Sequence, residues 1–240
     1  MTKNSVFLSA EWRKLALANY EVDKKILQKY LPPFTELDDW QGKYYVSLVG
    51  FMFMDTKLKG FGIPFHINFE EVNLRFYVKY NDAGTWKRGV VFIKEIVPKP
   101  AITFVANTVY KENYQTLPMK HQWEESQDSL HVAYLWKTKI WNKFAVKTDL
   151  NSIDMAVGSE EEFITEHFWG YTKLAANLTS EYQVKHPRWQ VYPVNEYEID
   201  VDFGANYGED FAFLSQSKPN SVMLAEGSPI SVLKGTKLRS

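Results

Sequence analysis

From Glu71 to Val78 the chain alternates without a break. Val72, Leu74, Phe76 and Val78 share one side of an extended chain, and Glu71, Asn73, Arg75 and Tyr77 share the other. A repeat of two residues is the period of a β-strand. Because one face is hydrocarbon and the other carries a carboxylate, an amide and a guanidinium, the strand must separate two different environments. Similar stretches recur at 44–53, after a Gln41-Gly42 turn, and at 88–97, 130–140, 143–148, 182–185, 190–194, 198–203 and 221–233. Many short strands with close turns predict a mainly β chain, closed into a barrel or curled into a double sheet.

About three short helices are expected between the strands. Asp23 can cap a helix over 24–31 that Pro32-Pro33 stops. Ile102, Val105, Ala106, Val109 and Tyr110 follow a helical spacing just after Pro98 and Pro100, where a helix start tolerates proline. Ser159 and Glu162 form a capping box for a helix from 160 to about 169. No linker, repeat or low-complexity tract divides residues 1–240, so one domain is expected.

Composition narrows the function classes. Aromatic residues make up 16% of the chain, enough for a large core and biased toward strands. The absence of cysteine removes disulfides, thiolate nucleophiles and zinc–thiolate sites. A net charge of −1 with no basic stripe argues against nucleic acid. No apolar run is long enough to span a bilayer, and residues 1–8 lack a secretory core, so a cytoplasmic location without membrane contact is the default. No metal-ligand spacing, P-loop, dinucleotide fingerprint or nucleophile elbow is present, and no cofactor or metal is implied. Trp40 and Trp86 are candidates for a contact between copies of the chain in a homo-oligomer.

Candidate site residues follow from chemistry. Glu71, Asn73 and Arg75 on one strand face could orient a small polar ligand, the guanidinium binding a carboxylate with two prongs. A solvent-facing sheet shows the same alternation, but in a closed barrel an inward polar stripe must be hydrogen-bonded or serve a ligand. Glu112 and Asn113 end the middle helix in a dense polar and aromatic run. His66, just before the Glu71 strand, could hang over a barrel mouth. Glu166, His167 and Tyr171 invite an acid–base reading, yet a structural histidine is the more common outcome.

Several longer strings carry a family likeness. They are Glu11-Trp12-Arg13, Asn19-Tyr20-Glu21-Val22-Asp23, Glu36-Leu37-Asp38, Tyr45-Val46-Ser47-Leu48-Val49-Gly50-Phe51, Asn68-Phe69-Glu70-Glu71-Val72-Asn73-Leu74-Arg75, Arg88-Gly89-Val90-Val91-Phe92-Ile93-Lys94-Glu95, Glu112-Asn113-Tyr114 and Ala225-Glu226-Gly227-Ser228. In this order the chain resembles the YqjF-like family of uncharacterised conserved bacterial proteins (domain of unknown function 2071). That family is distantly similar to acetoacetate decarboxylase, whose β-cone or barrel encloses a lysine that forms a Schiff base.

The resemblance implies that Arg13, seven residues before Tyr20, holds an anionic group and that Glu71 is a proton carrier or hydrogen-bond anchor. Where the decarboxylases have Pro-Lys-Lys with the first lysine reactive, this chain has Pro118-Met119-Lys120. A thioether cannot condense with a ketone, so Schiff-base chemistry would need Lys120 or Lys94 instead. The resulting expectation is a barrel binding a small carboxylate or carbonyl compound, with Arg13 and Glu71 converging on its pocket. The alternative is a non-catalytic binding or scaffold protein with a packed barrel interior.

Overall fold

A computed structural model describes residues 5–239, the Val109 side chain excepted. Seven strands close on themselves. In spatial order they are Ser221–Leu233, Val6–Glu21, Tyr45–Leu58, Phe69–Asp82, Thr85–Val97, Trp169–Ala175 and Leu178–Lys185, and the last pairs back to the first through Val184 with Val232. One junction in the ring is parallel: Trp169 and Gly170 lie beside Gly89 and Val90. The remaining pairings around the ring are antiparallel. Closure leaves little free edge, which suits strands as hydrophobic as these.

A second sheet, in the order Val194–Asp200, Trp141–Thr148, Leu130–Lys137 and Met119–Glu125, lies against the outer wall. The core between the layers includes Val72, Leu74, Phe76 and Val78 from the alternating strand, together with Tyr134, Trp136, Phe144 and Phe203. The layers approach closely at Gly50, where a Cβ would stand 2.7 Å from the Tyr134 ring. The Trp136 Nε1 donates to Asn206 Oδ1 at 2.8 Å, and the Asn206 amide donates to Asn142 Oδ1 at 2.8 Å, so these three side chains satisfy one another, while the Tyr207 hydroxyl has no partner among the described residues.

The three expected helices form at Lys24–Gln28, Pro100–Val105 and Glu160–Thr165, each with its cap or proline at the N-terminus as read. The first and third end earlier than the sequence suggests, and the middle one reaches Tyr110 as read. The middle one continues as a π-helix over Ala106–Tyr110, which Lys111 ends at φ 59°, and the third stops before His167 because the chain there re-enters the barrel wall. Two further segments, Phe203–Tyr207 and the 3-10 turn Glu209–Gln216, were not expected. They wrap the outer core, and burial of Phe203, Phe211 and Leu214 stabilises them in place of strong helical propensity. Trp86 is exposed, whereas Trp40 is half-buried with its indole nitrogen directed at the Gly158 carbonyl. Among the described residues no helix is long and apolar enough to cross a membrane.

Candidate functional site

The barrel is hollow. Its interior holds a cavity of about 350 Å³, with wall residues from all seven strands. Hydrocarbon covers much of it: Trp12 and Leu15 face Phe51, Phe53, Phe69 and Trp189. The Trp12 ring meets Phe51 edge-on at 5.5 Å and Trp189 at 6.2 Å.

Polar groups gather on one part of the wall. Glu71, Asn73 and Arg75 reach it together because they are two residues apart on one strand. Glu95 joins them from the neighbouring strand, directly opposite Asn73. That placement depends on a bulge. Phe92 pairs with Arg75 and Lys94 with Leu74, so one extra residue lies between the two pairs. An unbroken alternation from Val90 and Phe92 would point Lys94 inward. The bulge leaves Lys94 out of the cavity wall and turns Glu95 in. Asn113 holds the distortion, donating its amide to the Ile93 carbonyl at 2.6 Å while its own carbonyl accepts the Glu95 N–H at 3.0 Å.

Glu112 and Tyr114 flank Asn113 and line the cavity. Asn107 sets Tyr114 with a reciprocal pair of bonds to its backbone, at 2.7 and 2.8 Å. Glu112 accepts from the Thr172 hydroxyl at 2.6 Å. Glu71 accepts from the Asn73 amide at 3.0 Å and from the Tyr114 hydroxyl at 3.3 Å. Tyr182 lies over Gly170, where a Cβ would stand 2.2 Å from the ring, so only glycine leaves it room.

Burial dominates the electrostatics. It pushes the Glu71 carboxyl up to about 7, against the hydrogen bonds from Asn73 and Tyr114 and the nearby charge of Arg75. Glu112 is likewise pushed up by burial to about 7. Glu95 rises by burial and by the charges of Glu112 and Glu71. All three carboxyls are therefore held above the ordinary carboxylate range, and Glu71 and Glu112 lie where proton exchange near neutrality is cheap. Several polar atoms are buried without a partner: Glu95 Oε2, Asn73 Oδ1 and Arg75 Nε, the guanidinium making one long bond of 3.5 Å to the Ile164 carbonyl. Among the described residues no set of three or more histidine, cysteine, aspartate or glutamate side chains is grouped so that it could hold a metal ion.

His167 also lines the cavity, between the rings of Phe163 and Tyr77. Its Nε2 faces Asp38 Oδ2 at 3.1 Å. Burial raises the Asp38 carboxyl, but bonds from His167 and Arg88 outweigh it and hold the group at about 2. Burial pushes His167 down to about 4, so the ring is neutral at pH 7 and its proton sits on Nε2 toward the carboxylate. Nδ1 is left as a bare acceptor with no partner.

Five of the residues singled out in the sequence therefore meet in the cavity wall: Glu71, Asn73, Arg75, Glu112 and His66, the last half-buried with Nδ1 near the Pro64 carbonyl. Four do not. Arg13 follows the inward Trp12, and a bulge at Lys14 (φ 52°) leaves Arg13 and Lys14 together on the outer wall. There they pair with Glu11 and Glu226. The expected convergence of Arg13 with Glu71 is therefore corrected. Met119 belongs to the second sheet and packs on the outer core, and Lys120 beside it is exposed with its ammonium over the Trp141 ring. Asn113 shapes the wall without lining it. Glu95, Tyr114 and Tyr182 are polar wall residues that the sequence did not single out as site residues, and His167, set aside there as structural, lines the wall as well. The Glu112-Asn113-Tyr114 string pointed toward one of them. Nothing local announces the bulge that turns Glu95 inward.

Comparison with known proteins agrees with this architecture. The chain is 26% identical over 196 residues to the uncharacterized protein YqjF of Bacillus subtilis (strain 168), covering 80% of this chain and 77% of that one. Among solved structures, the acetoacetate decarboxylase of Legionella pneumophila superposes with a TM-score of 0.65 at 13% identity, over 97% of this chain and 87% of that one. An acetoacetate decarboxylase-like enzyme from Sphingomonas wittichii RW1 gives 0.66 at 11% identity, over 98% and 94%. The enduracididine biosynthesis enzyme MppR, in complex with pyruvate, gives 0.64 at 13%, over 99% and 91%. These likenesses establish an acetoacetate-decarboxylase-like fold. With residues 9–229 matching its model, the chain belongs to the DUF2071 family of uncharacterized conserved proteins.

Proposed function

We propose that this protein binds a small carboxylate or carbonyl compound inside the barrel and moves a proton on it without a Schiff base. The observation that carries the reading is Arg75, a guanidinium with an unpartnered Nε in the cavity wall, on the same strand face as a carboxyl titrating at about 7. Arg75 would grip the ligand carboxylate. Glu71, when ionised, would take a proton from the carbon next to the carbonyl. The C–H pair then becomes the enolate double bond, and the new oxyanion accepts a hydrogen bond from the protonated Glu112 or Glu95.

Lysine chemistry finds no support in the wall, where the one lysine among the described lining residues is Lys234, exposed at the opening. That a neighbour by fold has been seen with pyruvate supports the 2-oxo acid class as a starting point. A cytoplasmic setting belongs to the same proposal. Nothing in the hollow interior favours the alternative of a non-catalytic scaffold with a packed barrel.

The test is proton exchange. A panel of 2-oxo acids in heavy water, followed by NMR, should lose the signal of the hydrogens next to the ketone faster with the protein than without it. Glu71→Gln should remove the acceleration, and Arg75→Met should raise the concentration needed for half-maximal rate. Exchange no faster than in buffer, together with no detectable binding at millimolar acid, would sink the reading.

A further inference from the structure

The cavity is far larger than its polar end requires. A water molecule takes about 30 Å³ of the liquid, so 350 Å³ corresponds to on the order of ten waters. A three-carbon acid seated on Arg75 and Glu71 would displace only part of that. The rest of the space lies between Trp12, Leu15, Phe51, Phe53 and Trp189, walls of hydrocarbon in which the Trp189 indole nitrogen is already bonded to Ser228 and the Trp12 indole nitrogen is the one polar atom without a partner among the described residues. Water held against hydrocarbon on several sides is unfavourable, and a ligand filling that space with apolar atoms releases it.

The opening has the same character. The cavity-lining residues that are exposed are Ile63, Ala101, Val105, Lys234 and Gly235, so these mark the way in. Ile63 lies between Phe61 and Phe65, which are 78% and 88% exposed, and Val105 follows Phe104 at 69%. The two rims meet through Phe7, whose carbonyl accepts the Lys59 N–H at 2.9 Å and whose ring lies 5.2 Å from Tyr110. Exposed aromatics around a hydrocarbon-walled opening suit the passage of an apolar molecule better than that of a small hydrophilic acid.

We infer that the ligand joins its carboxylate or carbonyl head to an aromatic or branched hydrocarbon body, which fills the space between Trp12, Phe51, Phe53 and Trp189. This names the substrate class of the site proposed above and rests on that reading for the head group. Specificity for the body would come from these walls, and orientation from Arg75.

Isothermal titration calorimetry on the intact chain separates the two ideas, using pyruvate, phenylpyruvate and benzyl alcohol as probes. The expected result is phenylpyruvate binding roughly ten- to a hundredfold more tightly than pyruvate, the worth of burying one ring. It should also exceed benzyl alcohol by a similar factor, and Arg75→Met should lose that second advantage. Equal affinity for phenylpyruvate and pyruvate would overturn the apolar body while leaving the head-group reading intact. Equal affinity for phenylpyruvate and benzyl alcohol, unchanged in Arg75→Met, would overturn the head-group reading and leave the apolar body standing. Binding of none of the three would end both. Because the decisive comparison uses the unaltered protein, it does not depend on any variant folding.

Discussion

The barrel strands have two faces, and the two cores they build are opposites. On the outside, Leu48, Leu74 and Phe76 meet Tyr134, Trp136 and Phe144 in a filled layer where Trp136, Asn142 and Asn206 bond to one another and the Tyr207 hydroxyl is left without a partner. On the inside, Phe51, Phe53, Trp12 and Trp189 come from overlapping stretches of chain, yet they surround empty space and leave Glu95, Asn73 and Arg75 with unpaired atoms. Composition does not separate the two, since both are aromatic-rich. What differs is whether a second layer completes the packing. The filled core holds the fold, and the hollow one leaves Asn73, Arg75 and Glu95 with polar atoms that have no partner.

The largest expected effect falls on the filled side. Trp136→Ala should cost about 3–5 kcal/mol in denaturant unfolding, because the indole is wholly buried and its Nε1 partner, Asn206, would be left unpaired. Phe53→Ala, on the hollow side, should cost clearly less, since part of its ring already faces the cavity. Equal losses would mean that the interior is packed in solution and would break the contrast.

The next effect is a pH slope belonging to the hollow side. Glu71 and Glu112 are pushed up to about 7 in the folded chain, so the folded state binds more protons than the unfolded state between roughly pH 4 and 7. Their contribution to stability is fully present below the unfolded carboxyl range and is lost as pH rises through about 7. Each amounts to at most about 3 kcal/mol. Unfolding curves across that window should flatten in Glu112→Gln, whose side chain stays neutral throughout. An unaltered slope would place Glu112 in contact with water. An anionic ligand should follow the same sign and bind more weakly above pH 7, because it favours the protonated carboxyls.

Gly50→Ala sharpens the comparison at the seam. The added methyl meets the Tyr134 ring and should cost about 1–3 kcal/mol by overpacking without changing ligand affinity. Gly170→Ala, against Tyr182 on the cavity side, should instead disturb binding, measurable by calorimetry with the same probes. The smallest effects are expected at Arg13 and Lys120. Arg13→Ala and Lys120→Ala remove surface interactions and should shift stability by no more than about 1 kcal/mol, with binding untouched. A loss of binding in either would restore it to the site.

Much of this was legible before any coordinates. The period of two from Glu71 to Val78 specified a strand with one polar and one apolar face; that the polar face turns inward was decided by the second sheet packed on the apolar one. Asp23, Pro100 and Ser159 marked helix starts because capping is a local matter of which side chain can reach which free N–H. The ends of the first and third helices were not legible, the third stopping where the chain re-enters the barrel wall at Trp169. Asp38 and His167 lie far apart in sequence, so only the fold could bring the carboxylate to the ring and turn an ordinary histidine into a neutral acceptor on the cavity wall.

By itself, then, the sequence determined the alternation, the aromatic supply and the polar trio Glu71, Asn73 and Arg75, because each depends on neighbours a few residues away. The tertiary structure decided which alternation survived. Bulges at Lys14 and near Ile93 re-aim side chains, and those bulges exist because paired strands and Asn113 hold them. One inserted residue takes Lys94 out of the wall and brings Glu95 in, which exchanges an amine for a carboxyl and, with it, the chemistry that the cavity can perform.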